Sequence, residues 1–513
     1  MSLNMYLGSA DVQTSSMNQF CIQTIQGMEE AIASIDQFAL NMSLQGKAYQ
    51  TAKTYMAQTF RPLAQGIIYL CEELIRQNDD YPSEFRSQVS TSDVIEHEIA
   101  DQIVEINRLI RRLRELNDIT PMVQATILIY EGMKRILQQR LEKLHQFNVT
   151  SRSNYDTAFQ LADCIVQGLA QVQGGKGFNS ETGTFSTKGM ELGWVQQIHK
   201  FPYILKAHEQ YGEHLEKYPR DVDKIIAIMK YEEKHTEYLE QTNEFLAPLE
   251  VKDIIEIKYL MYTAEEPYRT LAMKYLDEVK IASLEGEKSF FLDSDNSITY
   301  IVERDRTNAR GAYFTFFHEL GHAIDYNYAK EIGMDGFFSN NYRSNGNTLA
   351  EYMHGDVKNK IQFALKDEIN KEVYDDIDMK AKTKMINNIT ESFIYTGPED
   401  NELTSTETDL YNIIQTKLSQ DLHPDEHHNA SDVYGGVTLN EIVGKWGHHK
   451  ESYWIDLDTG ERTNEPDKEG FASYYGSIMI QDSVQIESVT DYLPNSKKHM
   501  NNMFKSMNEG VNK

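Results

Sequence analysis

His318-Glu319-Leu320-Gly321-His322 constrains this chain more than any other segment. Residues four apart share one face of an α-helix, so the two imidazoles can reach one metal ion only if the run is helical. Glu319 is then placed to act as a base toward a water at that metal. The spacing predicts a zinc-peptidase helix with His318 and His322 as ligands and Glu319 as catalytic base. The apolar flanks Ala312-Tyr313-Phe314-Thr315-Phe316-Phe317 and Ala323-Ile324-Asp325 suit a buried helix beneath a cleft. Gly321 costs about 1 kcal/mol against Ala in a helix interior, which points to close approach of another backbone.

Two histidines leave a tetrahedral zinc one protein ligand short, and a Glu or His from a later helix normally supplies it. Glu351, Glu391 and Glu469 are candidates. Glu469 is favoured because Glu469-Gly470-Phe471-Ala472-Ser473-Tyr474-Tyr475 reads as an acidic residue opening an apolar, aromatic helix. From these residues alone, a first-turn glutamate favoured by the helix dipole reads equally well. His423, His427, His428, His448 and His449 make a His-rich stretch too irregular in spacing to argue for a second metal site. His448, Tyr453 or Trp454 could line the cleft. Tyr453 and His448 are the further catalytic candidates, since a Tyr hydroxyl or protonated His can stabilise the oxyanion of a tetrahedral intermediate.

The first 170 residues read as long amphipathic helices. Met17, Cys21, Ile25, Met28, Ile32, Ile35, Ala39 and Met42 recur at helical period, as do Ile95, Ile99, Ile103, Ile106, Ile110 and Leu113. Asn117-Asp118 reads as the turn before Thr120-Pro121, an N-cap and first-turn proline opening a helix toward Phe147. Such stripes are ordinarily plain core and imply an elongated helical hairpin or bundle. The Gly/Ser/Thr-rich stretch from Gly174 to Gly193 reads as a linker or exposed loop. Helical pattern resumes near Trp194 and continues to about Leu276. Phe290-Phe291-Leu292 and Ile298-Thr299-Tyr300-Ile301-Val302, separated by Asp293 to Asn296, predict a hairpin directly before the metal helix. That strand could form the edge on which an extended peptide lies.

A net charge of −29 over 513 residues argues against a nucleic-acid binder and against docking on anionic membranes. Cys21, Cys71 and Cys164 all lie in helical patterns, so neither a disulfide framework nor a cysteine zinc site is expected. The Met-Ser-Leu-Asn-Met start has no secretory-signal pattern, and no apolar run reaches the roughly 18 residues of a spanning helix. These features alone would place the protein in the cytoplasm.

The C-terminal part resembles zincin-type peptidases of the anthrax lethal factor group. The resemblance is carried by His318 to His322 with Ala323-Ile324-Asp325, and by Arg462-Thr463-Asn464-Glu465 leading to Glu469, Phe471 and Ala472. It implies zinc held by His318, His322 and Glu469, Glu319 as base, and Asp325 as an acid behind the ligands. Ser431-Asp432-Val433-Tyr434-Gly435-Gly436, Gly447-His448 and Tyr453-Trp454 are similar to a segment of toxin and phage-associated H-E-x-x-H proteins. The interval from His322 to Glu469 is longer than in the lethal factor group, implying an insertion that loops out. Ser473 stands where that pattern has a second Glu, and Arg462 where it has the transition-state Tyr, leaving Tyr453 as substitute.

The N-terminal part resembles the LXG domain of type VII secretion toxins, through Leu44-Gln45-Gly46-Lys47-Ala48-Tyr49, Tyr55 and Arg61-Pro62-Leu63. Such proteins are exported without a cleaved signal, carry a C-terminal toxin domain and are helped by small helical partners.

Together these readings predict a mainly α chain with an α+β C-terminal domain. Residues 1–173 form an LXG-like helical secretion domain and 174–250 a linker with connecting helices. Residues 251–513 form a zincin-like metallopeptidase domain with a helical insertion at about 331–440. The expected protein is a secreted toxin, cytoplasmic before type VII export, whose zinc endopeptidase cleaves a protein or peptide of a target cell. Small helical secretion partners are expected at the N-terminal domain. A cognate immunity protein is expected if the target lies in a bacterial cytoplasm. Neither a nucleic-acid partner nor a membrane-spanning segment is expected. The alternatives are a non-catalytic secretion or interaction protein with a degenerate H-E-x-x-H helix, and a peptidase working in its own cytoplasm.

Overall fold

The computed structural model describes residues 2–116, 120–175, 177–394, 403–422, 430–444 and 449–511. The chain is mainly helical and divides into two compact units, Met1–Gln210 and Tyr211–Lys513. Among the described residues no helix is long and apolar enough to cross a membrane.

In the first unit the apolar stripes turn inward as their period requires. Helix Leu7–Leu40 lies antiparallel to helix Phe60–Gln88, with the shorter helix Lys47–Gln58 between them in sequence. Cys21 and Ile35 of the first are buried, as are Ala64, Ile68 and Cys71 of the second. Arg61–Asp36 at 2.8 Å and Arg86–Asp11 at 2.6 Å mark the two ends of the pairing. Exposed ion pairs of this kind contribute about 0–1 kcal/mol each, so the apolar stripe sets the register and the charges follow it. Helices Glu96–Arg114 and Pro121–Thr150 pack through Ile106, Ile110 and Ile127. Thr120 caps the latter by accepting from Val123 N. The turn expected at Asn117-Asp118 lies outside the described residues.

The stretch from Gly174 to Gly193 is more ordered than its composition suggests. Phe178–Asn179 pairs antiparallel with Thr184–Phe185, and the Phe185 ring lies 5.4 Å from that of Tyr55. Gly177 passes so close to Tyr55 that a Cβ would sit 2.3 Å from its ring, which only glycine permits. Trp194, Ile198 and Phe201 then join Leu63, Leu161 and Ile165 in one buried cluster. Residues 174–210 thus belong to the first unit and 211–250 to the second. Helix Gly193–Lys217 loses helical dihedrals at Tyr211, where the units divide.

The second unit holds one three-stranded sheet. Ser297–Thr299 is central, parallel to Lys280–Ser283 and antiparallel to Phe290–Leu292. The predicted hairpin is present, with Phe291 opposite Ile298; the first strand is too short to announce itself in sequence. Asn296 and Asn327 exchange side-chain hydrogen bonds at 2.9 and 3.0 Å, which lays the hairpin along helix Phe314–Glu331. Phe316, Phe317, Leu320, Ile324, Phe471, Tyr475 and Phe504 are fully buried around that helix.

The described part of 331–440 is largely helical, but it does not loop out. Helix Leu349–Ile369 packs against helix Pro494–Val511. Its buried Asp356 accepts from the Ser496 backbone N–H and hydroxyl, both at 2.8 Å, and so caps the later helix.

The register of the long helix pair is directly testable. Thr14 Oγ1 donates to Asn78 O at 3.1 Å, and two turns further along both helices Cys21 meets Cys71, their thiols hydrogen-bonded. Refolding with oxidised glutathione should link Cys21 to Cys71 by thiol–disulfide exchange and leave Cys164 out, as read by non-reducing peptide mapping. A Cys164 cross-link, or none, would contradict this register.

Candidate metal centre

Two helices build the site. The H-E-x-x-H helix, Phe314–Glu331, starts where Asp305 accepts from the backbone N–H groups of Thr315 and Phe316, each at 2.9 Å. A buried carboxylate at a helix N-terminus satisfies orphan donors and matches the dipole. The second helix, Glu465–Met479, opens with Pro466 in its first turn and buries nearly its whole length. The two meet through glycine: a Cβ on Gly321 would lie 3.0 Å from Ala472 Cα, and one on Gly476 would lie 3.3 Å from His318 N. The close approach that Gly321 implied is therefore to the helix that carries Glu469.

That approach brings the predicted donors together. His318, His322 and Glu469 offer ligand atoms within 4.8 Å of one another. The two Nε2 atoms are 3.1 Å apart, with the rings at 89°. Glu469 Oε2 lies 3.2 Å from His318 Nε2, and Oε1 lies 3.8 Å from His322 Nε2. Nitrogen and oxygen donors at zinc-like bond lengths in a tetrahedron sit about 3.3–3.5 Å apart. Two imidazoles and one carboxylate, nearly buried and converging at this spacing, fit zinc by donor type and separation. Ser473 Oγ lies 3.3 Å from His318 Nδ1, a contact that fixes the ring and turns Nε2 inward. Glu351 is engaged elsewhere, in a capping box with Thr348, and Glu391 is exposed.

The charges are strongly coupled. Burial lowers the His322 imidazole to about 3, keeping the ring neutral. Burial also disfavours charge on His318, but the adjacent Glu469 carboxylate outweighs it and holds that imidazole above its usual value. Burial would raise the Glu469 carboxyl, yet its contacts with the two histidines hold it well below the carboxylate range. Glu319 is pushed up to about 7 by burial, opposed by His318 and by the Phe291 N–H that donates to its Oε2 at 2.8 Å.

The donors open on a cleft of about 740 Å³. One wall is the sheet edge, where Phe290 and Leu292 are 47% and 42% exposed. Another carries Arg310, paired at 2.9 Å with Asp432, both buried. Tyr453 also lines the cleft, and its hydroxyl donates to Glu469 Oε1 at 2.6 Å. His448 lies outside the described residues, with His423, His427 and His428. The neighbouring His449 reaches the site, 3.7 Å from Glu469 Oε1 and stacked on Tyr453. It lies before the short helix Glu451–Trp454, so no helical spacing in the sequence pointed to this stacking. Asp325 is turned away to Ser339, accepting from its N–H at 2.8 Å and its hydroxyl at 2.5 Å. Arg462 donates to the carbonyls of Gly436 and Val437 at 2.9 and 2.7 Å. Arg310, Asp432 and His449 were missed as site residues, although Asp432 fell inside a motif already singled out.

A comparison with protein families bears on the other end of the chain. Residues 12–184 match the LXG domain of the WXG superfamily. A protein of Bacillus cereus named "Toxin" is 54% identical over 200 residues, which are 39% of this chain. The chain spans 37% of that relative's length. No solved structure matches significantly.

Filling the glycine contact should break the centre. Gly321→Val is expected to destabilise the chain by about 1–3 kcal/mol through overpacking against Ala472 and to weaken zinc binding, read by denaturant unfolding and metal titration. Wild-type stability in this variant would contradict the close helix approach.

Proposed function

We propose that this chain is a secreted toxin whose LXG unit serves export and whose C-terminal unit is a zinc-dependent endopeptidase. The observation that carries the enzymatic part is the convergence of His318 Nε2, His322 Nε2 and Glu469 Oε2 on the floor of a cleft, with Glu319 beside them. The LXG match and the name of the Bacillus cereus relative support the toxin part. On this reading the chain is made in the cytoplasm and leaves by a type VII route.

Bound zinc would supply Lewis-acid polarisation of a carbonyl and make water a nucleophile at neutral pH. The remaining work falls to side chains. Glu319, oriented by the Phe291 N–H, accepts the proton of the attacking water and passes it toward the leaving amine. The exposed Phe290 on the sheet edge offers an apolar contact to an extended protein or peptide substrate, the Phe291 N–H being held by Glu319. Ser473 and the packed helix pair keep the His318 ring fixed, so the donors need little reorganisation. For a target in a bacterial cytoplasm, a cognate immunity protein must protect the producer. Met122, Ile129, Met133 and Ile136 lie exposed at helical spacing on Pro121–Thr150, a face suited to a small helical secretion partner.

The full chain should bind one zinc and cleave a member of a quenched-fluorescence peptide library. Glu319→Gln should keep the metal and lose about 10²–10⁴-fold in rate. Undiminished cleavage by that variant would remove Glu319 from the mechanism. A wild-type chain that takes up no zinc would favour the non-catalytic secretion or interaction protein instead.

A further inference from the structure

The two oxygens of Glu469 have different surroundings. Oε2 faces His318 Nε2 at 3.2 Å, and Oε1 lies 3.8 Å from His322 Nε2. Oε1 accepts from the Tyr453 hydroxyl at 2.6 Å. A carboxylate can only accept, so the phenol is the donor. The ring itself is clamped. His449 stacks on it at 4.0 Å and 11°, Trp454 meets it edge-on at 4.9 Å and 75°, and Thr463 Oγ1 donates to the Tyr453 carbonyl at 2.7 Å. Trp454 is buried, and Gly436 packs so close to it that a Cβ there would lie 3.2 Å from the indole.

We propose that Tyr453 is a positioning residue for the metal ligand Glu469, not a group acting on substrate, and that His449 sets the Tyr453 ring by stacking. The inference rests on the zinc-peptidase reading and assigns a role within that site. A carboxylate free to rotate can present either oxygen or both. A donor fixed on Oε1 holds the carboxylate in one rotation with Oε2 directed at His318, so less ordering remains when metal binds. A phenol whose proton is committed to Glu469 is not offered to an oxyanion in the cleft. His449, 3.7 Å from the same oxygen, closes that side of the carboxylate against rotation.

Zinc affinity tests this without any knowledge of the substrate. The full chain, Tyr453→Phe, His449→Phe and His449→Ala would be titrated with zinc against a chromogenic chelator, and their cobalt(II)-loaded visible spectra recorded. Tyr453→Phe should bind zinc about 10–100-fold more weakly, as removal of outer partners of metal ligands does elsewhere, and should shift the cobalt bands. His449→Phe preserves a stacking ring and should keep wild-type affinity and spectrum, whereas His449→Ala should lose affinity. Wild-type affinity and spectrum in Tyr453→Phe would overturn the proposal. If that variant fails to fold, equal affinity in the two His449 variants would overturn the stacking on which it depends. A wild-type chain that binds no zinc would overturn the peptidase reading as well, a different result from an unaffected Tyr453→Phe.

Discussion

The C-terminal unit depends on two helices lying closer than side chains normally allow. Gly321 sits over Ala472 and Gly476 over the His318 backbone, so the helices meet nearly backbone to backbone. Everything at the metal centre inherits this spacing. His318 projects from one helix and Glu469 from the other, and their facing atoms are 3.2 Å apart only because nothing larger than hydrogen separates the helices at these points. The aromatic shell of Phe316, Phe317, Phe471, Tyr475 and Phe504 holds the approach from outside. Glycine's propensity cost in a helix, about 1 kcal/mol each, is offset by this packing.

A site so placed concentrates charge where burial penalises it. Two imidazoles and two carboxylates sit nearly buried at the floor of the cleft, and without a metal they can satisfy one another only in part. Each carboxylate has a separate anchor: Glu319 the Phe291 N–H, Glu469 the Tyr453 hydroxyl. Asp305, also buried, spends its oxygens on the helix N-terminus and on the Tyr300 hydroxyl, and so orients the whole helix. Perturbed titration clustered in a cleft is what functional centres tend to have.

What could be read from the sequence was local. The i,i+4 histidines, the odd Gly321 and the acidic residue before Phe471 each carry their meaning within a few residues, and all meet at the centre. Contacts across long separations carried no such signal. Arg310 and Asp432 pair from distant segments, and although Asp432 lies in a segment already singled out, nothing near it names its partner. His448 and His449 are adjacent and chemically identical. Nothing local in the sequence says that His449 stacks on Tyr453, because it lies before the short helix Glu451–Trp454 and no helical period relates the two. At 174–193, read as a linker or exposed loop, most residues are exposed, but composition did not reveal that Gly177 makes room for the Tyr55 ring. Length misled at 331–440, where extra residues suggested an appendage but Asp356 ties them into the core.

The three donors come from segments far apart in the chain, and that fixes when the cluster exists. The histidine pair is complete as soon as one helix forms, but it offers only two ligands. Glu469 is synthesised much later and takes its place only after its helix has docked on Gly321. Until then the chain lacks the third protein donor that a four-coordinate zinc site with one open position requires. On the proposed reading, metal capture would report completed tertiary structure, since a nascent, truncated or unravelled chain carries the motif without the cluster.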